Sequence, residues 1–224
     1  AEATWVSKSG AVIPKSRDIK TSVLISKKFY GALKKYLERH VEPGELGLGD
    51  EGGFSPRFKD NLEPFEILKK VRAKLGWQNK IDFGLDAAAS NVKINTQKLF
   101  SIYKRLKSEF NLYYLEDPFK EKDFKNFAKL KNLIGKNTLV CGDDLTTTNV
   151  ALMKKAHVLK AINSIIIKPN QIGTVSETLE AVKLARKYKW KVVISHRSGE
   201  TDDDFIADLA YAVGADGFKL GAPA

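Results

Sequence analysis

Six short apolar runs in this chain each end on a charged residue, and the ends are evenly spaced. KIDFGLD ends at Asp86, LYYLED at Glu116 and Asp117, TLVCGDD at Asp143 and Asp144, SIIIK at Lys168, and VVISHR at His196 and Arg197, while GFKLG surrounds Lys219. From Asp86 through Glu116, Asp143, Lys168 and His196 to Lys219 the steps are 30, 27, 25, 28 and 23 residues. A strand, a loop, a helix and a return loop take about that length in a βα unit, roughly 30 residues. Barrels built of such units carry their chemistry at the C-terminal ends of the strands. The spacing therefore predicts three acids, two lysines and a histidine around one mouth.

The runs IDFGL, LYYL, TLVC, SIIIK and KVVIS are continuous rather than alternating, as strands of a parallel sheet covered on both faces are. Strands are expected at 80–86, 111–116, 137–142, 163–168, 190–195 and 216–220, with helices at 95–110, 121–133, 149–160, 174–188 and 202–213 between and after them. Ahead of them, residues 22–40 read as a helix, with Val23, Leu24, Phe29, Leu33, Tyr36 and Leu37 near helical spacing. A long loop at 41–61, rich in Gly, Pro and Asp, leads to a second helix at 62–75 ended by Gly76. The predicted class is α/β, a (β/α) barrel that is incomplete: six clear parallel strands plus an N-terminal helical segment. A closed barrel needs eight strands. Residues 4–13 offer at most a poor strand, and the chain stops directly after the last one, which suggests a fragment or a barrel whose other pieces lie elsewhere.

Bulk composition narrows the function. The formal charge is +11, but KKFYGALKKYLERH, EILKKVRAKL, SIYKRLKSEF and AVKLARKYK mix lysine with apolar residues at helical spacing. That is the pattern of solvated outer helix faces, whose lysine stems cover apolar surface. No basic run is interleaved with aromatics as a stacking platform for nucleic acid requires, so a nucleic-acid partner is not expected. No stretch has the roughly 18 apolar residues of a membrane span, and no signal-peptide core is visible. The single cysteine, Cys141, sits in an apolar run and reads as a buried, inert thiol of a reducing compartment, the cytoplasm.

Asp86, Glu116 and Asp143 end three successive strands. Converging carboxylates repel unless a cation holds them, and hard oxygen donors with open positions suit Mg²⁺. Each could instead cap the following helix or bind a loop amide, which is the preferred reading for Asp117 and Asp144 alone. Lys168 follows three isoleucines and precedes Pro169. A lysine there serves as a base when burial and nearby cations disfavour its charge; a lysine simply paired with an acid fits equally well. Arg197 and Ser198 at a loop-to-helix transition suit a phosphate. In GDEGGF, glycines flank Asp50 and Glu51 and leave a carboxylate projecting from a loop.

GDEGGFSP, LDAAAS, LEDPF, GDDLTTTN, IKPNQIGTVSETLEAVKLAR, SHRSGETDDDFIADLA and FKLGAP together resemble enolase, the phosphopyruvate hydratase of glycolysis, from about residue 21 to the end. The resemblance implies a Mg²⁺-dependent carbon–oxygen lyase that reversibly dehydrates 2-phosphoglycerate to phosphoenolpyruvate. It implies that Asp86, Glu116 and Asp143 bind Mg²⁺, that Lys168 removes the C2 proton and that Glu51 protonates the departing hydroxyl. Lys219 would neutralise the substrate carboxylate, Arg197 and Ser198 would hold the phosphate, and His196 would contact the substrate beside them; Glu51, Glu116 and Lys168 would also touch it.

The chain departs from the family in several places. No counterpart of the family's N-terminal domain or closing C-terminal helix is seen, so residues 1–224 read as a barrel domain alone. SKSGAVIP (7–14) has no acid where the family has an assisting glutamate, the hairpin after LDAAAS is shortened to NVKINTQ, and FKLG replaces a more usual IKTG-like lysine strand. A homologue that binds metal and an anionic ligand with little or no turnover is the alternative. A homo-oligomer is expected for a full-length relative.

Overall fold

Each apolar run becomes a parallel strand, because a wall covered on both sides excludes water from every side chain along it. The computed structural model describes residues 2–5 and 10–223 apart from Arg17, Pro43 and Asp50. The six expected strands are β3 (Ile81–Asp86), β4 (Tyr114–Glu116), β5 (Leu139–Gly142), β6 (Ser164–Ile167), β7 (Lys191–Ser195) and β8 (Gly217–Lys219). They pair in order and in parallel.

Six strands alone would leave the ring open, and a hairpin spans the gap. β1 (Glu2–Trp5) lies parallel to β8 and antiparallel to β2 (Gly10–Pro14), and β2 lies antiparallel to β3 over five residue pairs. The eight strands close into a barrel in sequence order. The hairpin was hard to read because β2 is short and is framed by a glycine and a proline, although Ala11, Val12 and Ile13 are all buried. The residues that match SKSGAVIP are partly outside the described residues; those from Gly10 to Pro14 form β2.

Helices α1 (Ile19–Leu37), α2 (Glu63–Lys74), α3 (Thr96–Phe110), α4 (Phe124–Ile134), α5 (Val150–Val158), α6 (Pro169–Ile172), α7 (Val175–Lys187) and α8 (Phe205–Ala212) cover the ring. The first begins earlier than periodicity predicted, because Asp18 caps it by accepting the Thr21 N–H at 2.8 Å. Its buried stripe is Ser22, Ser26, Phe29, Tyr30, Leu33 and Leu37, while Leu24 is 51% exposed. Small serines on that face let α1 lie close to the hairpin, an approach that Leu24 and its neighbours would block. The one-turn helix α6 was not anticipated; Pro169 at its first position pre-sets the helical φ directly after Lys168.

Two apolar layers result. Outside the ring, Phe65 meets Phe83 edge-on at 6.4 Å between α2 and β3, and Phe127, Leu106 and Leu130 are fully buried under the helices. Inside it, Ile13, Tyr114, Cys141, Ile166 and Val193 form a separate cluster. Gly84 leaves room there, since a Cβ at that position would meet Tyr114 and Ile13 at 3.2–3.3 Å. At the lower end Asp216 joins three elements: it accepts the Val192 N–H at 3.0 Å, pairs with Lys191 at 2.8 Å, and pairs with Arg186 of α7.

Candidate active site

Side chains two residues apart on a strand share a face. The interior cluster therefore fixes what stands one step higher: Glu116 above Tyr114, Asp143 above Cys141 and Lys168 above Ile166. Asp86, above Gly84, and Lys219, the last residue of β8, complete the layer. Sequence spacing placed these groups at one mouth, and the structure resolves them into three contacts.

The first is a buried ion cluster. The Lys219 ammonium lies 2.8 Å from Glu116 Oε1 and 3.0 Å from Asp86 Oδ2. Glu116 is 1% exposed and Lys219 5%. Burial and then the nearby Asp86 carboxylate push the Glu116 carboxyl well above its usual range. Burial opposes the charge on Lys219, but Glu116 and Asp86 outweigh it and raise its affinity for the proton. The Tyr114 hydroxyl donates to Glu116 Oε2 at 2.6 Å, so both carboxylate oxygens are engaged.

The second contact joins Lys168 to Asp143 Oδ2, while Gln171 Nε2 donates to Asp143 Oδ1 at 3.0 Å. The third joins the loop to the ring. Glu51 Oε1 lies 3.3 Å from His196 Nε2, a charge contact rather than an aligned hydrogen bond. His196 Nδ1 lies 2.9 Å from the Lys219 carbonyl oxygen. A carbonyl only accepts, so Nδ1 carries a proton. Nε2 and Glu51 Oε1 then face one another as two acceptors unless a further proton sits between them. The contact with His196 holds the Glu51 carboxyl below its usual range. Glu51 itself is pinned by the Ala222 N–H, which donates to its carbonyl at 2.7 Å, and Tyr30 donates to the Gly52 carbonyl at 2.8 Å. Asp50 lies outside the described residues.

Arg197 and Ser198 are exposed on the rim after β7, and among the described residues no ion pair ties Arg197 to the three contacts. Asp117 binds loop amides, one of the two structural roles expected for it: its carboxylate accepts the N–H of Asp143 at 3.0 Å and of Asp144 at 2.7 Å. Burial and then Asp143 push its own carboxyl up to about 8. Carboxylate oxygens of Asp117, Asp143 and Asp144 lie within 4.8 Å of one another, a group that could hold a metal ion. Of the acids expected as ligands, Asp143 belongs to this group, and Asp86 and Glu116 share Lys219. Tyr114, Thr148 and Gln171 were not singled out from sequence. Tyr114 was within reach, being two residues before Glu116; Gln171 was not, because the α6 turn that aims it carries no periodic signal.

A closed α/β barrel with buried acids and lysines at the C-terminal strand ends is the architecture of a barrel enzyme. Residues 11–224 match the family described as the enolase C-terminal TIM barrel domain, and the chain belongs to that family. It is 38% identical over 214 residues to the enolase of Solanum lycopersicum, covering 87% of this chain and 48% of that protein. With the enolase of Sulfolobus acidocaldarius it shares 38% identity over 224 residues, 95% of this chain and 54% of the relative. The chain thus spans about half the length of the curated relatives it matches. No helix among the described residues is long and apolar enough to cross a membrane.

Proposed function

We propose that the protein containing this chain is an enolase, which reversibly dehydrates 2-phosphoglycerate to phosphoenolpyruvate with Mg²⁺, in the cytoplasm. The observation that carries this reading is the convergence of two lysine ammoniums, Lys168 and Lys219, on buried carboxylates at the mouth. A proton next to a carboxylate is very weakly acidic, because its removal builds a second negative charge on the substrate. Fixed positive charge aimed at those oxygens lowers that barrier.

The donor set fits a hard divalent cation. Glu116 and Asp86 are closely spaced carboxylates that share the Lys219 ammonium, and Asp143 offers a third at the same mouth. Asp86, Glu116 and Asp143 would hold Mg²⁺, which supplies Lewis-acid polarisation of the substrate carboxylate. Lys219 would neutralise the same carboxylate. Lys168 would take the C2 proton, for which it must be neutral. In the structure its side chain pairs with Asp143, a contact that would be given up when Asp143 is engaged elsewhere. Glu51, in contact with His196, would protonate the departing hydroxyl as general acid. Arg197 and Ser198 on the rim would take the phosphate.

The test is Mg²⁺-dependent formation of phosphoenolpyruvate by the full-length protein, followed by ultraviolet absorbance, with Lys168→Ala as the control. We expect turnover to vanish in Lys168→Ala while Mg²⁺ binding persists. Absence of product from the unaltered protein at millimolar Mg²⁺ would leave a binding homologue instead.

A further inference from the structure

Two successive threonines at the mouth adopt a backbone that β-branched residues rarely take. Their φ values are +44° at Thr147 and +56° at Thr148, and Thr148 is fully buried. Such conformations persist where the surroundings over-determine them, and they gather at functional sites. What holds Thr148 is its hydroxyl. Oγ1 accepts the Lys168 backbone N–H at 3.0 Å and donates to Gln171 Oε1 at 2.8 Å. With its carbonyl end taken, the Gln171 amide presents only its NH₂ to Asp143, and Nε2 donates to Oδ1 at 3.0 Å. The other oxygen of Asp143 receives the Lys168 ammonium. Lys168 backbone, Thr148, Gln171, Asp143 and Lys168 side chain form a closed circuit of hydrogen bonds.

We propose that Thr148 and Gln171 are positioning residues that fix Asp143 and Lys168 relative to one another. This rests on the function proposed above, in which Asp143 offers a carboxylate to Mg²⁺ and Lys168 an amine to the substrate carbon. Neither Thr148 nor Gln171 touches the substrate in this account. Each removes a rotation: Gln171 that of the Asp143 carboxylate, and Thr148 that of the Gln171 amide and of the peptide that carries Lys168. Partners of this kind orient a ligand without binding the metal, and their loss typically weakens metal binding or activity by about 10- to 100-fold.

The test compares Gln171→Met, which removes the amide, Thr148→Val, which removes the hydroxyl, and Thr148→Ser, which keeps it, all in the full-length protein. Mg²⁺ affinity measured by calorimetry without substrate should fall roughly tenfold in Gln171→Met, and kcat by roughly 10- to 100-fold at little-changed KM. Thr148→Val should move both in the same direction, and Thr148→Ser should stay within about twofold of the unaltered protein. A folded Gln171→Met with Mg²⁺ affinity and kcat both within about twofold of the unaltered protein overturns the proposal. Gln171 is only half-buried on a one-turn helix, so this variant decides alone if Thr148→Val does not fold. If the unaltered protein makes no phosphoenolpyruvate, the function reading fails, and exchange of the Lys168 amide proton decides the positioning. Exchange at least about tenfold faster in Thr148→Val, or in Gln171→Met if Thr148→Val does not fold, supports the circuit, and unchanged exchange overturns it.

Discussion

Lys219 shows how far single residues at this mouth depend on one another. It is an ammonium enclosed with two carboxylates, and removing one member of a buried charge set leaves the others uncompensated. Lys219→Met should therefore cost about 3–5 kcal/mol in the free energy of unfolding, read from urea titration without divalent cations. Glu51 is held less tightly, and its expected role is chemical rather than structural. Glu51→Gln should lower kcat by about 10²–10⁴-fold, the range for a general acid, with Mg²⁺ affinity nearly unchanged, as steady-state kinetics and calorimetry will report. At this scale the sequence was informative wherever a residue ended a strand. Asp86, Glu116, Lys168 and Lys219 were found by counting, because the βα unit repeats. Thr148 and Gln171 escaped because their placement depends on left-handed backbone and a one-turn helix, which no period announces.

At the scale of elements, pins between neighbours matter more than any single strand. Asp216 ties β7, β8 and α7 together. Burial works to raise its carboxyl, yet Lys191, the Val192 N–H and Arg186 together hold it below its usual range. A depressed carboxyl stabilises the fold at pH values above its unfolded-state pKa of about 3.9, and the contribution fades as pH falls through the folded value. Asp216→Asn should accordingly lower the melting temperature clearly at pH 7 and much less near pH 3. A second pin holds the loop: Gly221 lies so close that a Cβ would sit 3.0 Å from the Glu51 carbonyl. Gly221→Val should push Glu51 off its mark and reduce kcat, while the melting temperature, read by circular dichroism, stays within about a few degrees. Helix boundaries were legible to within a few residues from periodicity and caps. The first helix was read with Leu24 inward because hydrophobicity alone does not see that serines allow the closer approach.

For the whole molecule the decisive feature is closure. Six strands were legible as apolar runs, and two were not, because a short reversed strand framed by glycine and proline carries neither a long run nor an alternation. Closure makes β2 as indispensable as any parallel strand, since it joins β1 to β3. Val12→Asp buries an unpaired charge in that strand and should unfold the barrel or cost more than about 3 kcal/mol, measured by thermal and denaturant unfolding.

The reversed strand also sets the route by which the loop acid arrives. Because β2 runs downward, the chain returns to the mouth through α1, and residues 41–61 bridge two helices rather than follow a strand. Glu51 therefore comes from a loop between two outer helices, yet its carboxylate lies 3.3 Å from His196 at the end of β7. One tether comes from the outer ring, at Tyr30, and one from just past β8, at Ala222. Glu51, the proposed proton donor, is thus held between the outer helices and the ring, while Lys168 and the acids proposed to hold the metal are rooted at the strand ends. A small retreat of the loop would withdraw Glu51 and leave every strand-end group in register, so the two halves of the proposed reaction can be separated by distance alone.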